Sequence, residues 1–111
     1  MLFRQINIGE EEYKLRLGIK ECIELEKKLG ENPLNKLIAM ASNGDNMELP
    51  SFEFMGLVFH FSLIKYQAKI GINKSYELME QYMEQEGIQG LIELNVGIFS
   101  DSGFFKVEEK K

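Results

Sequence analysis

The sequence predicts an α+β domain that is mostly α-helical, with an N-terminal β-hairpin followed by about five helices. Residues 2–17 alternate apolar and polar side chains around a glycine, which is typical of a hairpin. Residues 18–103 carry apolar side chains at three- and four-residue spacing between short breaks. A length of 111 residues fits one domain. We therefore assign residues 1–17 to the hairpin, 18–103 to the helical region and 104–111 to a charged tail.

The predicted hairpin joins residues 2–8 to residues 12–17 through a turn that begins at Gly9. The second strand has an apolar face, with Leu15 and Leu17, and a basic face, as expected of a strand that lies over helices. Because an isolated hairpin is only marginally stable, it must dock on the helices or pair with another chain. Its open edge is the first indication of self-association.

The first helix is predicted to begin after Gly18. Ile19, Cys22, Ile23 and Leu29 place four apolar side chains on one face, and most of the charged side chains fall on the other. This periodicity predicts that the apolar stripe, with Cys22 as a small hydrophobe, packs on the rest of the domain.

The first helix is separated from the second by a tight corner. Gly30 suits a left-handed C-terminal turn, because it lacks a Cβ atom. Asn32 and Pro33 are typical of an N-cap and a first helical residue, so we expect a second helix to about residue 41. The composition of residues 42–46 then predicts a loop.

A third helix is predicted from residue 52 to residue 68, with Ser51 as its N-cap. Apolar side chains cover nearly every side of it, and residues 57–63 alternate in part like a strand. The length of the segment favours a helix. A helix that is apolar all round lies at the centre of a domain or is covered by a second subunit. Gly71 is expected to end this element.

Two further helices complete the prediction. Asn73 is the expected cap of a helix over residues 74–86, which Gly87 closes. Apolar side chains then repeat at helical spacing from Ile88 to Phe99, and Gly103 is expected to end the last helix.

Charge and composition bear on the class of partner. A formal net charge of −5 argues against nucleic acid or an anionic membrane as the main partner, because both favour clustered Lys and Arg. The single Cys22 cannot form an internal disulfide, which fits a reducing cytoplasm. We expect no signal peptide, and the apolar run at residues 52–64 is too short to cross a bilayer.

The residues that could carry chemistry are few. His60 is the only histidine and lies in the most apolar segment, which favours a packed side chain with one hydrogen bond over a catalytic or metal-binding role. Cys22 and His60 form a conceivable nucleophile and base, but the position of Cys22 on an apolar stripe favours packing. No spacing fits zinc, calcium or phosphate. We therefore expect no enzyme activity and no cofactor.

The first third of the chain resembles a known family. In the segments LRL and ELEKKLGENPL, nine residues match the sequence pattern at the start of the small tail assembly chaperones of long-tailed bacteriophages and gene transfer agents. The chain resembles the prophage-encoded type of this family. The matching residues are Leu15, Leu17, Glu24, Leu25, Glu26, Leu29, Gly30, Pro33 and Leu34.

The resemblance implies a function without bond chemistry. Such chaperones coat the long, helical tape measure protein in the host cytoplasm until tail tube subunits displace them, and they are not expected in the mature virion. The implied partners are the tape measure protein, the tail tube protein as a further candidate, and other copies of the chain. Some members are also made in a longer, frameshifted form.

The methionines offer a candidate surface for this work. Met side chains can fill gaps in a core, or they can form a groove that adapts to varied apolar helices. The aromatic pair before the charged tail is either a core anchor or a partner contact. The candidate partner-binding residues are Met79, Met83, Ile98, Phe99, Phe104 and Phe105.

Two other functions stay open. One is an oligomeric phage structural or connector protein that uses the hairpin edge and the apolar third helix. The other is a cytoplasmic binding module for a small apolar ligand around His60.

Overall fold

Two antiparallel strands precede the helices, in the order predicted. A computed structural model describes residues 2–36 and 50–103. The predicted loop, most of the second helix, and Phe104 and Phe105 lie outside the described residues. The elements are β1 (Arg4–Ile8), β2 (Glu11–Leu15), α1 (Ile19–Leu29), α2 (Phe52–Leu63) and α3 (Ile72–Asp101), with a further helical turn at residues 33–36. The predicted α+β class is confirmed.

The hairpin closes through the two-residue turn Gly9-Glu10, since Ile8 pairs with Glu11. Gly9 has a φ angle of +62°, which favours glycine because it lacks a Cβ atom. Ile6, Ile8 and Leu15 are buried beneath the sheet. The alternation of apolar and polar residues therefore predicts correctly which face of the hairpin is buried.

The hairpin docks on the helices, which satisfies the condition for its stability. The N–H of Arg16, just after β2, donates to the carbonyl of Ser62 at 3.0 Å. The N–H of Leu17 donates to Ser102 Oγ at 2.9 Å, in a buried position. These bonds fix the chain after β2 to the C-terminal ends of α2 and α3.

The limits of α1 follow from its caps. The N-cap Gly18 is extended, and its N–H donates to the Glu21 carboxylate at 3.0 Å. Gly30 adopts the predicted left-handed conformation, with φ +74°. Asn32 Oδ1 accepts the N–H of Leu34 at 3.0 Å, so the predicted start at Asn32 and Pro33 is confirmed.

The packed face of α1 differs from the predicted one. Leu25 is fully buried and Glu21 nearly so, whereas Ile19 is 73% exposed and Ile23 is 47% exposed. The buried face is thus turned by about one residue, or about 100°, from the predicted stripe. The reason is tertiary: α2 packs against the side of α1 that carries Leu25.

Helix α2 is the centre of the domain. Ser51 Oγ accepts the N–H of Phe54 at 3.0 Å, which confirms the predicted N-cap. Nine of its twelve residues are buried, so the helical interpretation of this apolar segment is right. The helix ends at Leu63, five residues earlier than predicted. Beyond Leu63 the side chains at residues 65–69 are exposed, and the chain continues in turns instead of a packed helix.

Helix α3 begins at Ile72 with Gly71 as its N-cap, so the predicted cap Asn73 is wrong. The N–H of Ser75 already bonds to the carbonyl of Gly71, which starts the helix two residues earlier. Gly87 interrupts the helix with φ +80° and ψ 170°, which confirms the predicted break at this residue. With the turn at residues 33–36, the described chain therefore has five helical segments, α3 supplying 72–86 and 88–101.

The core lies between the hairpin, α2 and the second segment of α3. Phe54 of α2 and Phe99 of α3 stack with ring centroids 6.5 Å apart and planes 7° from parallel. The fully buried side chains around them come from β2, α1, α2, α3 and the segment after β2: Leu15, Leu17, Leu25, Met55, Val58, Leu63, Leu91, Leu94 and Ile98.

Candidate functional site

The predicted partner-binding residues do not form one surface. Met79 and Met83 are half-buried and pack against the core. Ile98 and Phe99 are fully buried, because residues 88–101 of α3 pack on α2. The prediction that both present an exposed contact therefore requires correction, although Phe99 is among the residues that line a recess beside α1. Phe104 and Phe105 lie outside the described residues.

The exposed apolar surface of α1 is a better candidate for a partner-binding site than these residues. Ile19 and Ile23 are one helical turn apart and stand beside a recess of about 110 Å³. We call this feature the α1 recess; its lining residues are Ile19, Cys22, Ile23, Glu26, Asn32, Pro33, Leu34 and Phe99. A volume of this size is that of one or two apolar side chains, so the recess fits part of a protein better than a cofactor.

The sequence contains the signal for this surface, but the periodicity predicts that it packs on the core. Ile19 and Ile23 have helical spacing on an apolar stripe, and such a stripe usually packs inside its own domain. Only the position of α2 against Leu25 reveals that Ile19 and Ile23 are left exposed by the described residues. Cys22 and Leu29 of the same stripe are half-buried against the core.

Cys22 forms a neutral wall of the α1 recess. Burial, and then the negative charges of Glu21 and Glu26, raise the pKa of its thiol to about 11. Because the thiolate is the reactive form, the thiol at neutral pH is a poor nucleophile. The side chain therefore contributes apolar surface here.

His60 lies on α2 beside a second cavity, of about 400 Å³. Its Nδ1 is 2.7 Å from Ser75 Oγ, and its ring meets that of Phe61 edge-on at a centroid distance of 5.2 Å. Burial, and then the positive charge of Lys28, lower the pKa of His60. The cavity is lined by Lys28, Glu53, Leu57, His60, Phe61, Ile72 and Tyr76.

The geometry separates the two residues considered as a nucleophile and base. Cys22 and His60 line different recesses. The hydrogen-bond partner of His60 is a serine hydroxyl, and the pKa shifts of both residues favour their neutral forms. The arrangement therefore supports packing and binding at these positions.

Charged groups give no convergent site within the described ranges. Across residues 2–36 and 50–103, no group of three or more His, Cys, Asp or Glu side chains is arranged to hold a metal ion. In the same ranges, none of the helices has the length and apolar character needed to cross a bilayer.

The outer edge of β1 carries an unusual side-chain contact. The N–H of Gly9 donates to Gln85 Oε1 at 3.0 Å, and Gln85 Nε2 donates to the carbonyl of Asn7 at 2.8 Å. The carboxamide of Gln85 thus bonds the edge of β1 as the N–H and C=O of one residue in a neighbouring strand would. A side chain from α3 covers this part of the sheet edge.

Comparison of the chain with protein-family models, with curated proteins and with solved structures found no match.

Proposed function

We propose that the chain is a tail assembly chaperone of a long-tailed bacteriophage, which covers apolar helix surface of the tape measure protein before the tail tube forms. The observation that carries the proposal is the exposed pair Ile19 and Ile23 beside the α1 recess. The resemblance of residues 15–34 to that family supports it independently.

The α1 recess suits helix-in-groove recognition. Ile19 and Ile23 present a short apolar ridge, and Pro33 and Leu34 also line the recess. An amphipathic client helix would lay its apolar face on this ridge and place one side chain in the recess. The neutral thiol of Cys22 adds an uncharged group to the lining of the recess.

The size of the surface sets the strength of each contact. Complete burial of an isoleucine side chain contributes about 1.5–3 kcal/mol, and part of that is offset by the cost of association. A single chaperone copy therefore binds weakly. Repeated contacts along a long client supply avidity, while tail tube subunits can still displace each copy.

In this proposal the chain acts in the cytoplasm of the bacterial host, without a cofactor, a metal or bond chemistry, and is absent from the mature virion. Its partners are the tape measure protein and, at displacement, the tail tube protein. Neither nucleic acid nor a membrane takes part.

The test is co-expression with the tape measure protein, which we expect to be encoded downstream as a very long helical reading frame. An affinity-tagged Ile19→Ser/Ile23→Ser variant should recover at least about tenfold less client than the unchanged chain. The reason is that the loss of about 1.4 kcal/mol of apolar contact already weakens binding tenfold. The matched control is Phe52→Ser/Ile88→Ser, which removes two side chains of similar exposure elsewhere.

Client recovery must remain with the control variant, and circular dichroism must show that both variants fold. Equal recovery by the two variants, or the absence of a tape-measure-like reading frame, would contradict the proposal. A stable closed ring that ignores the client would favour the structural-protein alternative. A small molecule recovered from the cavity at His60 would favour the ligand-binding one.

A further inference from the structure

The free edge of the sheet is on β2, and two hydrogen bonds establish which of its backbone groups point outward. Arg16 donates its N–H to Ser62, so the backbone groups of Arg16 face away from β1. Outward and inward groups alternate along an antiparallel strand. The N–H and C=O groups of Glu12 and Lys14, four and two residues earlier, therefore also face outward.

The contact of Gln85 with β1 gives the same assignment independently. Gln85 Nε2 donates a hydrogen bond to the carbonyl of Asn7, so the backbone groups of Asn7 face away from β2. Asn7 is the pairing partner of Glu12. Two opposite residues of an antiparallel pair either bond each other or both face outward, so Glu12 must face outward as well.

The two edges of the hairpin differ in availability. On β1, Gln85 occupies the carbonyl of Asn7 and the N–H of Gly9. On β2, no hydrogen bond from the described residues reaches the outward backbone groups of Glu12 or Lys14, and both side chains are exposed. The available edge is thus the short stretch between the turn and Arg16.

We propose that two copies of the chain pair antiparallel through this edge of β2, with Glu12 of each copy opposite Lys14 of the other. This arrangement places Tyr13 opposite its own counterpart on the two-fold axis. Both copies then contribute the same outward residues, which gives four backbone hydrogen bonds between them.

Charge selects this register from its neighbours. A shift by one pair in one direction places Lys14 opposite Lys14 of the other copy, and a shift in the other direction places Glu12 opposite Glu12. Like charges directly opposite one another destabilise a sheet, whereas opposite charges stabilise it. The proposed register forms two Glu–Lys pairs and places no like charges opposite one another. The two shifted registers would in addition need Glu10, which lies in the turn, or Arg16, whose N–H already bonds to Ser62.

The same features close the assembly at two copies. The pairing produces a four-stranded sheet whose outer edges are the two β1 strands. Gln85 bonds each of these edges at Asn7 and Gly9, which leaves Gln5 as the one outward residue of β1 without such a bond from the described residues. A third copy therefore finds no stretch of two free outward residues like the one on β2. The symmetric contact is therefore a closed dimer and not a growing sheet.

The contact is short, and the dimer is correspondingly weak. We expect a dissociation constant on the order of 0.1–1 mM at low salt, because the paired stretch is far smaller than a standard interface. Salt should weaken the dimer further by screening its exposed Glu–Lys pairs. This self-association does not depend on the proposed tape measure client.

Sedimentation equilibrium of the full chain, at up to about 2 mM, tests the proposal with charge exchange. Glu12→Lys and Lys14→Glu should each raise the dissociation constant about tenfold, because each replaces two attractive pairs by two like-charge pairs. The double variant E12K/K14E restores both pairs, so its dissociation constant should return to within about threefold of the original.

Two controls repeat the charge changes away from the edge. Glu84→Lys and Lys69→Glu alter exposed residues on α3 and in the turn before it, and they should leave the dissociation constant within about twofold. Circular dichroism of each variant confirms that the hairpin and helices remain folded, since E12K also removes the hydrogen bond from Gln5 to Glu12.

Three results would overturn the proposal. The first is a chain that stays monomeric at about 2 mM. The second is a double variant as weakened as the single ones, which excludes the proposed register. The third is a dimer insensitive to E12K and K14E but dissociated by Ile19→Ser/Ile23→Ser, which would place self-association on α1.

Discussion

His60 and Cys22 both have surroundings that favour the neutral form of the side chain. Partial burial lowers the pKa of the imidazole and raises that of the thiol. The Ser75 hydroxyl offers the imidazole a neutral hydrogen-bond partner. Neither residue is therefore adapted to carry charge, and for His60 this has a consequence for stability.

We expect the free energy of unfolding to fall as pH is lowered through the range around 6.5. The unfolded chain binds a proton at His60 near pH 6.5, whereas the folded chain binds it only at lower pH because its pKa is lowered. The unfolded state then binds more protons, so acid favours unfolding. Stability from this group is complete above the unfolded pKa and is lost as pH falls toward the folded one.

Urea unfolding at about pH 7.5 and pH 5.5 measures this effect. The control is His60→Gln, which cannot titrate, so it should lose less stability than the unchanged chain over the same range. An identical loss in both proteins would assign the pH dependence to the carboxylates instead.

At the scale of elements, glycines divide the helical region, but they act in different ways. Gly87 holds φ +80° between the two segments of α3, a backbone conformation that L side chains rarely adopt. Gly71 holds φ −87°, which any residue adopts, and a Cβ atom there would have no neighbour within 4 Å. Only the first glycine is required by its backbone angles.

Substitution of these two glycines should therefore have unequal effects. Gly87→Ala should lower the free energy of unfolding by about 1–3 kcal/mol, because alanine is strained at this φ and ψ. Gly71→Ala should change it by less than about 0.5 kcal/mol, since the reduced freedom of the unfolded chain offsets a poorer N-cap. Urea unfolding of both variants measures the difference; a Gly87 variant as stable as the Gly71 variant would contradict it.

At the scale of the whole molecule, the hairpin and the end of α3 hold each other in place across most of the chain length. The N–H of Leu17 donates to Ser102 Oγ, and that hydroxyl donates to the carbonyl of Ile98 at 2.6 Å. Nearby, Arg4 Nη1 lies 3.2 Å from the Asp101 carboxylate, a half-exposed pair of modest weight. The buried serine is therefore the stronger link.

Ser102→Ala should lower the free energy of unfolding by about 1–3 kcal/mol, because it leaves the buried N–H of Leu17 without its acceptor. Ser100→Ala is the matched control: its side chain is exposed on the same turn, and we expect a change below about 0.5 kcal/mol. Thermal unfolding followed by circular dichroism compares the two. Equal melting temperatures would show that the link is dispensable.

Much of the fold could be predicted from short stretches of sequence. The turn at Gly9, the C-cap Gly30, the N-cap Ser51 and the break at Gly87 all stand where the pattern placed them. Each depends on backbone angles and hydrogen bonds within a few residues. The end of α2 was misplaced because it depends on where the core stops, which no local signal marks.

The candidate site was less predictable, because exposure belongs to the assembled domain. A stripe such as Ile19 and Ile23 has the same periodicity whether it faces the core or solvent, and only the position of α2 against Leu25 distinguishes the two. Similarly, nothing near Gln85 in the chain indicates that its carboxamide covers β1, 76 residues away from Gly9. The sequence alone determined the elements, their order and the turns and caps that depend on near neighbours. The tertiary structure decided where α2 ends and which faces and edges stay accessible, because burial depends on contacts between residues far apart in the chain.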